Sequence, residues 1–159
     1  MNGLYPLIFK PQFLDKIWGG HQLKNLLGKE FDDIPNCGES WELSGVRDHV
    51  SVVTNGYLAE NNLEELIEIY MGDLVGDRVY EKFGVEFPLL IKFIDANDDL
   101  SIQVHPNDEL SKKRHQAFGK TEMWYVLHAD QGAKLNLGFK EELTQEQYLE
   151  KFNAGQLMD

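Results

Sequence analysis

In Leu100-Ser101-Ile102-Gln103-Val104-His105 polar and apolar residues alternate without a break, so in an extended chain Ser101, Gln103 and His105 share one side. By periodicity alone, a solvent-facing surface is the favoured reading of that side. Glu122 shifts the balance, because it lies seventeen residues after His105 and opens the apolar run Met123-Trp124-Tyr125-Val126-Leu127. If the two segments pair, Gln103, His105 and Glu122 converge. An amide oxygen, an imidazole nitrogen and a carboxylate form a mixed donor set suited to Zn²⁺ with an open position, as catalytic zinc requires. The spacing alone is weak support, since no compact two-histidine motif is present. A purely structural zinc is disfavoured, because such sites are dominated by cysteine and the chain has only Cys37.

Two cations stand near these residues. Lys120 is two positions before Glu122, on the same side of an extended chain. Lys92 interrupts the apolar run Phe87 to Ile94, where an uncompensated ammonium is costly, so a role at an anionic ligand is reasonable. The competing reading is that both stems snorkel to solvent. Lys112, Lys113 and Arg114 read as a solvated helix face. Trp18, Trp41 and Trp124 read as packing residues, Cys37 as a small packing residue, and Glu39 and Glu42 as structural.

The elements that must position these groups are short. Val50 to Thr54, Pro88 to Asp95, Leu100 to His105, Met123 to Ala129 and Ala133 to Phe139 have strand composition bounded by Gly, Asn and Asp. Helices are expected over Leu63 to Met71, with Asn62 and Glu65 in capping-box spacing, and over Asp73 to Phe83, Asp108 to Phe118 and Thr144 to Asn153. The last begins with Thr144 and Gln147 in the same spacing. Short turns between the strands suggest antiparallel pairing in a sandwich or barrel.

Composition bounds the rest. The 159 residues, 42% hydrophobic and 26% charged, suit one folded domain, and a net charge of −12 argues against nucleic-acid binding. No apolar run approaches a bilayer span, and a single cysteine makes a reducing cytoplasm the expected setting. The chain closes on Gln156-Leu157-Met158-Asp159 with an apolar pair still to bury, which reads as an interrupted domain. Nothing in the pattern sets an oligomeric state.

Several strings taken in order resemble class I mannose-6-phosphate isomerases. They are Ile17-Trp18-Gly19-Gly20, Gly38-Glu39-Ser40-Trp41-Glu42-Leu43-Ser44, Pro88-Leu89-Leu90-Ile91-Lys92, Leu100 to Asp108 and Gly119-Lys120-Thr121-Glu122-Met123-Trp124-Tyr125. The resemblance implies a mainly β fold with helices, a cupin-type jelly-roll barrel over residues 1–159 as the amino-terminal portion, with a helical insertion near 62–83. It also implies a zinc ion and interconversion of mannose 6-phosphate with fructose 6-phosphate through an enediol. By position Gln103, His105 and Glu122 match its zinc ligands. Lys92 and Lys120 become the candidate catalytic groups and, with Ser101, the candidates for binding the sugar phosphate. The base is left open among a histidine, a desolvated lysine and a metal-held water. The family takes a further histidine and an arginine from later segments, and neither falls within this chain. A non-catalytic cupin module that holds a sugar or sugar phosphate is the alternative.

Overall fold

The computed structural model describes residues 3–157, so Met158, half of the apolar pair singled out above, lies outside it. The chain forms two compact units, Met1–Ser101 and Ile102–Asp159.

The first unit is built on a three-stranded antiparallel sheet of β1 (Gln12–Gly20), β2 (Cys37–Ser44) and β3 (Leu90–Ile94), with β2 in the middle. Only β3 follows from strand composition. β2 carries Glu39, Ser40, Glu42 and Ser44 among its eight residues and is a strand because its neighbours complete it: Trp41 lies opposite Lys92 and Ser40 opposite Phe93. The expected strand over Val50 to Thr54 is reduced to isolated bridges, Phe9 to Val53 and Val52 to Asn62. Between β1 and β2 lies the one-turn helix α1 (Gln22–Asn25), whose first N–H is taken by the Asp95 carboxylate at 2.6 Å.

Helix α2 (Leu63–Tyr70) starts where its sequence says it should. The Asn62 side chain accepts from the Glu65 N–H at 2.9 Å and Glu65 accepts from the Asn62 N–H at 2.8 Å, satisfying two N–H groups otherwise orphaned at a helix start. Leu63, Leu66 and Ile67 bury its inner face. Leu66 packs with Val53 and Leu58, with Tyr5, Phe9 and Tyr70 around them. The expected helix from Asp73 to Phe83 is two, α3 (Gly72–Val75) and α4 (Asp77–Phe83). They are divided at Gly76, whose φ of 88° breaks the helical run.

The second unit holds α5 (Asp108–His115) and α6 (Gln145–Asn153). Thr144 and Gln147 form the expected capping box, and Tyr148 contacts Phe139 and Phe152 at ring-centroid distances of 5.9 and 6.1 Å. Helix α5 is shorter than expected, ended by Gln116 in the left-handed conformation. The strands expected over Leu100 to His105, Met123 to Ala129 and Ala133 to Phe139 do not form: these stretches are irregular. Their apolar side chains face solvent, with Val104 at 78%, Met123 at 92% and Leu137 at 88% exposure. Strand composition is satisfied only by a neighbouring strand and a covered face, and the described residues supply neither to these segments. The described fold is thus a small antiparallel sheet with helices.

Candidate metal centre and its lysines

His105 and Glu122 meet. The imidazole Nε2 lies 3.0 Å from the Glu122 Oε2, and the Lys120 ammonium lies 3.2 Å from Oε1 of the same carboxylate. They meet without the strand pairing that the sequence suggested. Helix α5 is capped by the Asn107 side chain, which accepts from the Leu110 N–H at 2.9 Å, and the chain then folds back along it. Three links join the returning segment to the outgoing one. The Ser111 hydroxyl donates to the Phe118 carbonyl at 2.7 Å, the Gly119 N–H to the Asp108 carboxylate at 2.8 Å, and the Lys120 N–H to the Pro106 carbonyl at 3.3 Å. His105 and Glu122 lie just outside the last link.

Burial alone pushes the Glu122 carboxyl up, but the hydrogen bond and charge of Lys120, followed by those of His105, outweigh it and hold the group below the ordinary carboxylate range. It is therefore an anion at neutral pH. Two atoms each bound at about 2.0–2.2 Å to one tetrahedral ion stand about 3.4 Å apart. The 3.0 Å pair would need to open by only a few tenths of an ångström to take a zinc ion between them. Both side chains remain partly open to solvent, and an open depression of ≈530 Å³ lined by His105, Pro106, Asn107, Glu109, Leu110 and Lys113 adjoins them. The donor set therefore fits such an ion. Among the described residues no three His, Cys, Asp or Glu side chains gather as a metal cage. Gln103 is exposed on the segment leading into His105.

The remaining candidates belong to the first unit. Ser101 is exposed at its end. Lys92 points from β3 to the carboxylate of Glu39 on β2, 2.8 Å away, so its ammonium is compensated inside the sheet. Glu39 is 7% exposed and also accepts from the Trp41 indole N–H at 2.8 Å, with Lys16 at 3.9 Å. Burial raises its pKa, and the bonds from Lys92 and Trp41 with the charges of Lys92 and Lys16 more than reverse that, leaving it below the ordinary range. On the other side of β2, Glu42 takes the Ser40 hydroxyl at 2.5 Å and Lys29 at 2.7 Å. The structural reading of Glu39 and Glu42 accords with these contacts. Glu39 as the partner of Lys92 is not legible from local spacing, because fifty-three residues separate them. Cys37 is fully buried, as a packing residue should be, and Trp41 is half-buried, but Trp124 is 50% exposed and packs less than its type suggests.

Residues 7–131 match the family model for the type I phosphomannose isomerase catalytic domain. Mannose-6-phosphate isomerase from Streptococcus mutans is 44% identical over 88% of this chain and 44% of its own length. Mannose-6-phosphate isomerase ManA from Bacillus subtilis is 40% identical over 87% of this chain and 44% of its own. The chain thus spans less than half the length of these relatives. A crystal structure of mannose 6-phosphate isomerase from Bacillus subtilis superposes with a TM-score of 0.60 at 33% identity, covering 72% of this chain and 35% of that one. A mutant of phosphomannose isomerase from Salmonella typhimurium gives 0.57 at 28% identity, over 67% of this chain and 27% of that one. The matched stretch takes in the sheet with Glu39 and Lys92 as well as the fold-back that joins His105 to Glu122, and the chain belongs to the type I phosphomannose isomerase family.

Proposed function

We propose that this chain carries part of the active site of a zinc-dependent isomerase that interconverts mannose 6-phosphate and fructose 6-phosphate through an enediol. The observation that carries the reading is the 3.0 Å approach of His105 to Glu122 beside Lys120. Zn²⁺ held by His105 and Glu122, with the Gln103 amide oxygen as a third ligand, would supply a Lewis acid that stabilises the negative charge growing on the sugar oxygens as the enediol forms.

The chain's own residues then have distinct tasks. Glu122 supplies the one negative charge of the ligand set. Lys120 turns its ammonium from that carboxylate to a sugar oxygen, where a donor is worth most as charge develops. Lys92, whose ammonium is shared with Glu39, and Ser101 are the candidates for the phosphate, whose charge calls for cationic and hydroxyl donors. The family match and the likeness to solved relatives support the same activity, and they support a cupin-type barrel as the complete architecture. No described helix is long and apolar enough to cross a membrane. A reducing cytoplasmic setting fits a chain whose only cysteine is buried and free.

The test measures zinc content and mannose 6-phosphate-dependent formation of fructose 6-phosphate on the whole protein that contains this chain, and on its Glu122→Gln variant. Stoichiometric zinc and turnover, both lost in the variant, are expected. A variant that keeps its zinc and its activity would remove Glu122 from the site.

A further inference from the structure

The links between α5 and the segment before Glu122 form a ladder. Pro106 joins Lys120, Asp108 joins Gly119 and Ser111 joins Phe118, the three links lying progressively further from the ends at His105 and Glu122. None of these bonds is needed by the helix itself. Ser111 is 3% exposed and spends its hydroxyl on a carbonyl seven residues ahead rather than on its own helix. Gly119 is pressed so tightly against the start of α5 that a Cβ there would stand 2.5 Å from the Asp108 nitrogen and 2.6 Å from the Asn107 carbonyl carbon. Only glycine allows that approach. The segment is therefore closed by side chains and by a backbone contact that contribute no ligand.

We infer that this ladder is a clasp that presets the His105–Glu122 separation, with Ser111 and Gly119 as positioning residues that set metal affinity, an inference resting on the reading of His105 and Glu122 as ligands. Holding the two ends of a long loop together before the ion arrives removes the closure entropy that binding would otherwise have to overcome. The ligands stand just beyond the outermost link, so their separation depends on the rungs beneath it staying closed.

The experiment titrates Zn²⁺ against a chromophoric chelator with the whole protein that contains this chain and its Ser111→Ala, Gly119→Ala, Thr144→Ala and Glu122→Gln variants, and records each thermal midpoint. Ser111→Ala should weaken zinc binding about tenfold, which is ~1.4 kcal/mol, and Gly119→Ala at least as much. Thr144 caps α6 and touches no rung, so Thr144→Ala should lower the midpoint and leave zinc affinity unchanged, the behaviour of a merely structural residue. Should Gly119→Ala fail to fold, Ser111→Ala decides. Zinc affinity within about twofold of the parent in Ser111→Ala, while Glu122→Gln loses the metal, overturns the clasp and leaves the ligands standing. Parent-like affinity in Glu122→Gln as well overturns both.

Discussion

Replacing Glu39 by glutamine removes one charge from a buried group while keeping its shape. In the native sheet its two oxygens accept from Lys92 and Trp41 at 2.8 Å each, with the Lys16 ammonium at 3.9 Å. Glutamine retains one accepting oxygen, so either the indole keeps its partner or the ammonium does, and the other faces an NH₂ donor. Removing one member of a fully buried pair costs about 3–5 kcal/mol, whereas an exposed pair is worth about 0.2–1 kcal/mol. The side chains of Lys92 and Lys16 keep 20% and 32% of their surface, so both ammoniums can turn toward water. The expected loss therefore falls between the limits, at about 2 kcal/mol. Equilibrium urea unfolding followed by tryptophan fluorescence on Glu39→Gln, Lys92→Met and the double variant measures it, and about 1.5 kcal/mol should appear as coupling between the two. Single losses under about 0.5 kcal/mol that simply add would refute the pairing as a source of stability.

The same carboxylate predicts a pH dependence. Its folded pKa lies below the ordinary value of 4.5, so its contribution is complete above that value and fades as the pH falls through the folded one. The stability gap between the native chain and Glu39→Gln should hold from neutral pH down to about pH 5 and then shrink as the pH falls further, and a gap that stays constant at acid pH would contradict the assignment. Asn62→Ala removes the side-chain half of the α2 capping box and should cost about 1 kcal/mol by the same assay, with a loss near zero arguing that tertiary packing alone fixes the helix start.

Helix starts were legible because capping is local. Asn62 with Glu65 and Thr144 with Gln147 each complete their bonds within four residues, and the structure begins α2 and α6 at those residues. Strands depend on partners that spacing cannot name. β2 passes for polar loop until Lys92 arrives from β3 to meet Glu39, and β1 likewise carries no strong strand signature. The reverse error has the same cause: Met123 to Ala129 and Ala133 to Phe139 have apolar strand composition but no neighbour among the described residues, and composition without pairing leaves them irregular. The metal candidates were found by residue type and family likeness, and His105 does reach Glu122. The route between them differs from strand pairing. It runs through a capped helix and a ladder of short contacts rather than two paired strands, and its key members, Ser111 and Gly119, are too ordinary in type to attract notice.

The most direct test of the proposed metal centre is crystallographic. Crystals of the whole protein that contains this chain, grown with Zn²⁺, should show an anomalous peak at the zinc edge between the His105 Nε2 and the Glu122 carboxylate, about 2.0–2.2 Å from each. Anomalous signal elsewhere only, with His105 still hydrogen-bonded to Glu122 at the present distance, would show that the pair is a salt link and the site lies in other residues.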